Sequence, residues 1–324
     1  MILLSKIANI FEELAKRHRL LPWLIVYALL LPLPFFLASL FNEYLIDLVN
    51  RICPFILLAV GLNIVKGFCG QVTVGHIGLY AIGAVTSAVL SLEPGGFGGA
   101  LGFGWPVWLA IPTAVVVTAF AGLIIGLPSV RLEGAYLALA TLGLGESVRI
   151  FIAVTPALGS STGLMMIPAP SIGSFTIDSF TSYYYLVMTA AIIGIYFSFS
   201  ILRSATGRAF QAIREDTIAA SVNGINVVQY KLLAFVLSAV YAGLAGALFA
   251  HMPPGYLHHN NFTVIEMVTL LLMVVLGGIG NVWGGVIGAI VVAIAYDQTK
   301  DLVFYFMDRP IVIQPLVFGL SMVF

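Results

Sequence analysis

Charge is what this 324-residue sequence has least of: 14 Lys and Arg stand against 14 Asp and Glu, 9% of the chain and no net charge. A soluble domain carries about 25% charged residues, so a water-facing globular protein is excluded. A neutral balance gives no basis for binding nucleic acid, and no polybasic anchor is present. Cysteine is nearly absent. Cys53 and Cys69 would lie roughly 24 Å apart on one helix, beyond disulfide reach. No GK dipeptide, complete G-x-G-x-x-G, C-x-x-C or H-E-x-x-H occurs, which removes a phosphate-binding P-loop and the common zinc and redox motifs. No nucleophile and base stand at readable spacing, so no catalytic residue is assigned. His251, His258 and His259 lack a carboxylate or Cys partner, and no metal ligand is assigned.

What is abundant is apolar sequence, 60% of the chain with a mean hydropathy of +1.07. The fold class expected is all-α, a polytopic membrane protein of about ten transmembrane helices. Apolar segments lie near 21–41, 46–66, 72–92, 105–127, 135–154, 183–202, 232–251, 264–276, 282–296 and 311–324, most of them long enough to cross. Residues 1–20 lack a cleavage site and read as an amphipathic helix on the cytoplasmic face, and residues 21–324 as one transmembrane domain. Lys and Arg are missing from the segments 93–104, 155–182 and 252–262. With the N-terminus cytoplasmic, the basic residues then collect on the inner side.

The longest charged run is 203–231, with Arg203, Arg208, Arg214, Glu215, Asp216 and Lys231. Each charge costs roughly 2.5–3.5 kcal/mol in hydrocarbon even on the lenient insertion scale, so this is an aqueous loop. Asp216 is placed to cap a helix of one or two turns over residues 217–223, and Gly224 suits the left-handed position that ends it. Either this helix docks on another protein or it is a solvated connector. The long segment 155–182 covers the outer mouth, meets a partner, or is a loose surface loop.

Three glycine-rich stretches lie within apolar sequence. In GFCGQVTVGHIGLYAIGA (67–84), polar Gln71, Thr73 and His76 interrupt the run, which is compatible with helix packing or with a broken segment lining a cavity. Gly280, Gly284 and Gly288 recur every four residues, as do Gly122 and Gly126, and read as close helix contacts. Glu146 and Arg149, three apart, can pair.

Four stretches in this order, GFCGQVTVGHIGLYAIGA, LPSVRLEGAYLALATLGLGESVRI, GRAFQAIREDTIAASVNGINV and VLGGIGNVWGGVIGA, resemble the permease subunits of ABC importers for branched-chain amino acids. The LEGAYLALATLGLGE stretch is similar to the M-type subunit rather than its H-type partner. The resemblance implies a permease in the bacterial cytoplasmic (inner) membrane that is not itself an enzyme and holds no cofactor, ATP being bound by partner subunits. It implies an H-type permease, two ATP-binding cassette subunits and a periplasmic solute-binding protein as partners. Its coupling motif maps onto Arg214, Glu215, Asp216, Ile218, Ala219, Ala220 and Gly224, with Ile218 where importers often carry Glu. Gln71, Thr73, His76, Tyr136, Thr141 and Glu146 are the expected pathway residues. The family usually finishes its last span and adds a basic tail, whereas this sequence stops at Phe324, with a short last helix or an incomplete C-terminus. A urea or short-amide importer is the nearest alternative, and an ion-coupled secondary transporter the next.

Overall fold

The computed structural model describes residues 21–95, 101–172, 175–299, 303–306 and 309–312. The expected amphipathic helix over 1–20 lies outside them. The described chain is dominated by helices, and five of its helical stretches are long and apolar enough to cross a membrane: Tyr44–Phe68, Val107–Val130, Gly134–Val154, Phe180–Leu202 and Val227–Ala250.

Helix α1 (Leu21–Leu30) is followed by α2 (Leu33–Asn63). The chain breaks at Leu31–Pro32, where a ring without an N–H starts a new helix, and not between residues 41 and 46 as expected. Beyond Asn63, α2 loosens into a π turn (Ile64–Phe68) and stops at Gly70, whose φ is +75°. Residues 70–75 are not helical, and α3 (His76–Ser91) resumes with 16 residues. At 1.5 Å per residue α3 is about 24 Å long, shorter than a hydrocarbon core of about 30 Å. The glycine-rich stretch therefore breaks a helix.

Helices α4 (Val107–Gly126), α5 (Gly134–Val154) and α6 (Phe180–Leu202) follow, α6 starting at the Ser179 cap. The polar stretch holds α7 (Ala205–Glu215) and α8 (Thr217–Val222); α9 (Val227–Ala250), α10 (Val264–Gly277) and α11 (Val282–Thr299) complete the helices. Residues 303–306 and 309–312 pair as an antiparallel hairpin. The segment expected to cross from Ile311 thus begins in a strand, and residues 313–324 lie outside the described residues.

Helix α9 is the centre of the bundle. Ala234, Ala239, Ala242, Ala245 and Ala247 are fully buried, and α9 packs against α2, α3 and α4. Lipid offers no hydrophobic drive for helix association, so tight van der Waals contact between small residues has to hold these helices together. A Cβ on Gly83 of α3 would fall 2.6 Å from the Gly243 Cα of α9, and one on Gly122 of α4 would fall 2.2 Å from the Ala239 Cβ. Gly284 and Gly288 pack against Gly277, as their spacing predicts. Gly280 does not share that helical face. It lies in the bend between α10 and α11 at φ +82°, next to Gly278 at +110°.

Asn63 joins this bend to the end of α2. Its Nδ2 donates to the Asn281 carbonyl at 2.7 Å, and its Oδ1 accepts from the Gly280 N–H at 2.9 Å. At the other end of the bundle the 155–182 segment is tied down. Leu164 and Leu257 exchange both backbone hydrogen bonds (2.8 and 2.9 Å), and the His251 ring bridges Ser87 Oγ at 2.8 Å and the Pro168 carbonyl at 2.7 Å. His258 and His259 contact the Ser161 and Ser160 carbonyls. These histidines are loop ties that hold Ser160, Ser161 and Pro168 of the segment against residues 251–259.

Replacing Asn63 with Leu leaves two part-buried backbone groups, the Gly280 N–H and the Asn281 carbonyl, without their partner. At about 1–3 kcal/mol for each orphaned group, Asn63→Leu is expected to lower the thermal midpoint in detergent strongly. Asn63→Asp, which keeps the acceptor, is expected to lose less. Equal midpoints for the two variants in a fluorescence-detected melt would count against the clasp.

Candidate functional site at the helix break

Two neighbouring helices form most of the polar stretch, and only the second was expected. Helix α7 begins at Ser204, whose Oγ accepts from the Thr206 N–H at 3.2 Å, and it buries Gly207, Ala209, Phe210 and Ile213. A Ser cap ahead of apolar positions three and four apart was a legible signal for it. The second, α8, forms where expected. Asp216 Oδ1 accepts from the Ile218 and Ala219 N–H groups at 2.7 and 3.0 Å. Gly224, at φ +81°, ends the turn, and the Ile225 N–H returns to the Ala220 carbonyl at 3.1 Å.

The two alanines and the glycine of α8 differ in exposure within the chain. Ala220 turns inward and is 3% exposed, whereas Ala219 and Gly224 are exposed with open space around the Gly224 Cα. Outward-facing apolar side chains come from Ile218 and Val222, which are 74% and 82% exposed and lie four apart on one face. Glu215 is exposed beside them.

Arg214 points the other way. Its Nη1 donates to the Gly67 carbonyl at 2.5 Å. A Cβ on Gly70 would come within 3.1 Å of Arg214 Cγ, and one on Gly280 within 2.5 Å of Nη1. A Cβ on Gly67 would strike Asn63 Oδ1 at 1.9 Å and the Gly280 nitrogen at 2.6 Å. Three glycines thus clear a slot through which the guanidinium reaches both helix breaks. In the sequence Arg214 belongs with the docking residues; its observed contacts are internal.

Gln71, Thr73, His76 and Thr141 come together around the broken segment and are all buried. Thr141 Oγ1, on α5, accepts from the Val74 N–H at 3.2 Å, and a Cβ on Gly75 would lie 1.9 Å from the Thr141 carbonyl oxygen. His76 Nδ1 contacts Ser238 Oγ at 3.2 Å, while its Nε2 and Gln71 Oε1 have no hydrogen-bond partner among the described residues. Tyr136 and Glu146 do not join this group. Tyr136 is 75% exposed, pointing away from the chain's own interior. Glu146 pairs with Arg149, as their spacing allows. A cavity of about 220 Å³ opens beneath the break, bounded by Gln71, Glu133, Arg214, Thr217 and Lys231. Lys231, expected as a loop charge, is 8% exposed in its side chain and pairs with Glu133 at 2.8 Å.

The Arg214 side chain thus joins the region of the exposed α8 helix to two non-helical bends inside the bundle. Sequence reasoning passed over Arg51 on α2 and Glu266 on α10, although charges inside apolar helices were a visible signal.

Comparison with known proteins agrees with this description. Residues 44–324 match the family described as branched-chain amino acid transport system / permease component. The chain is 34% identical over 286 residues to the high-affinity branched-chain amino acid transport system permease protein LivM of Escherichia coli and to that of Salmonella typhimurium, an alignment covering 81% of this chain and 65% of each of those proteins. It therefore spans somewhat less than two thirds of the LivM length. Escherichia coli LivH is 25% identical over 272 residues, with 81% of this chain and 85% of that one covered. No solved structure matches. With apolar helices, a helix break built on glycine and a match over residues 44–324, the chain is a multi-pass membrane protein that belongs to the family of branched-chain amino acid transport permease components.

Proposed function

We propose that the chain is the M-type permease subunit of an ATP-driven importer in the bacterial inner membrane, carrying branched-chain amino acids delivered by a periplasmic binding protein. ATP is hydrolysed on two separate cassette subunits, and an H-type permease completes the channel. The N-terminus and α8 lie on the cytoplasmic side. The observation that carries this reading is the opposed pair of contacts at α8. Ile218 and Val222 face outward, uncovered among the described residues, while Arg214 at the end of α7 donates to the Gly67 carbonyl at the helix break. A subunit that grips α8 and moves it also moves the Gly67 carbonyl, and with it the segment that carries Gln71, Thr73 and His76.

The solute is a separate matter from this mechanics. The galactofuranose transporter permease YtfT of Escherichia coli is 26% identical over 264 residues, covering 76% of this chain and 69% of that protein. A relative whose printed solute is a sugar keeps other small polar solutes, urea and short amides included, as the second reading. An ion-coupled carrier would move solute without cassette subunits, and uptake by proteoliposomes holding this chain alone would overturn the proposal.

Gly224→Val forces a β-branched residue to positive φ at a cost of ~1–3 kcal/mol. Recovery of cassette subunits in a pull-down is expected to fall roughly tenfold at about 1.4 kcal/mol of lost docking energy, with the elution profile of the permease unchanged. Normal recovery would remove α8 from the interface. Thr217→Cys is expected to react with impermeant maleimides only from the cytoplasmic side, and labelling of intact cells would reverse the topology.

A further inference from the structure

A second cavity, of about 270 Å³, lies in the half of the bundle remote from the clasp. Helix α2 reaches it at Arg51, about three turns before Asn63. Helix α10 reaches it at Glu266 in its first turn, and α11 at Asp297 near its end. The α10–α11 bend meets α2 at the Asn63 clasp. The cavity wall is completed by Ile77 and Tyr80, in the first two turns of α3.

The lining carries both signs of charge and an apolar side. Arg51 Nε donates to Asp47 at 2.9 Å, and its two terminal nitrogens make no hydrogen bond among the described residues. Asn260 offers a neutral donor beside it on the same cavity. Glu266 accepts from the Tyr296 hydroxyl at 2.5 Å through Oε1, and Oε2 has no donor among the described residues. Asp297 accepts from Tyr44. Ile52, Phe55, Ile77 and Met273 supply the apolar wall. Charges kept inside apolar helices are costly and face the interior or a water-filled space, where they mark solute pathways. The volume is below the range for drug-sized ligands, which leaves room for one small molecule.

Resting on the importer reading above, we propose that this cavity is the membrane-embedded recognition site for an α-amino acid zwitterion with an aliphatic side chain. Arg51 takes the carboxylate, a planar group that its terminal nitrogens match in geometry. Glu266 takes the ammonium group. The side chain rests on Ile52, Phe55 and Ile77, and Ile77 sits next to His76 at the end of the broken segment, so an occupied cavity touches the element that α8 moves.

The test uses the assembled transporter in nanodiscs without the binding protein, with equilibrium binding of radiolabelled leucine and competition by leucine methyl ester and by 4-methylpentanoate. The wild type is expected to bind leucine and to reject both competitors, each of which lacks one charge. Arg51→Gln and Glu266→Gln are expected to weaken leucine about tenfold or more, the scale of a lost charge-assisted hydrogen bond. Arg51→Gln should also narrow the gap between leucine and its ester, and Glu266→Gln the gap between leucine and 4-methylpentanoate; general damage would change neither ratio. Ile77→Ala, which keeps every charge, is expected to shift preference from leucine toward phenylalanine. Unchanged affinity and unchanged competitor ratios in all three variants, or no leucine binding by the wild type, would overturn the site. Leucine uptake by the wild-type system with its binding protein would in either case leave the importer reading standing. A wild-type system that takes up another solute and no leucine would end both.

Discussion

A helix that stops inside a membrane leaves backbone groups that no water or lipid can satisfy, and this chain stops two helices side by side. The break after α2 and the bend between α10 and α11 answer each other's needs through Asn63, which accepts from Gly280 and donates to Asn281. Arg214 then covers the Gly67 carbonyl from the polar side. The glycines at 67, 70 and 280 are required by space at this junction, since a Cβ on any of them would enter the slot that Asn63 and Arg214 occupy. The clasp fixes the position of the broken segment, the direction of the helices that leave it and the attachment of α7.

Much of this was legible because the chemistry is local. Asp216, a short stretch of helix formers and Gly224 are enough to specify a capped helix, and α8 forms within a residue of expectation. Glu146 and Arg149 stand one turn apart and pair for the same reason. Polar Gln71, Thr73 and His76 among glycines left helix packing and an interruption both open, and the structure has the interruption. Apolar length placed α4, α5 and α6 and most of α9 for similar reasons.

What was not legible depends on pairing across the chain. No periodicity in 60–70 tells that Asn63 meets residue 281, or that Arg214 reaches back to the Gly67 carbonyl. Gly280 shares a four-residue spacing with Gly284 and Gly288, yet two positive φ values remove it from their helix. Tyr136, expected beside the pathway residues Gln71, Thr73 and His76, lies instead on an outward face of α5, a placement that the sequence does not reveal. Arg51 and Asp47 are one turn apart and were within reach of a local reading. The cavity at Arg51, however, is assembled from α2, α10 and α11, which are far apart in the sequence.

Helix α3 is anchored at both extremities. Its first turn follows the broken segment that α5 holds through Thr141, and near its other end Ser87 meets His251, which also holds the Pro168 carbonyl. One helix therefore ties the break to the loop at the far end of the bundle, and displacing either anchor strains the other.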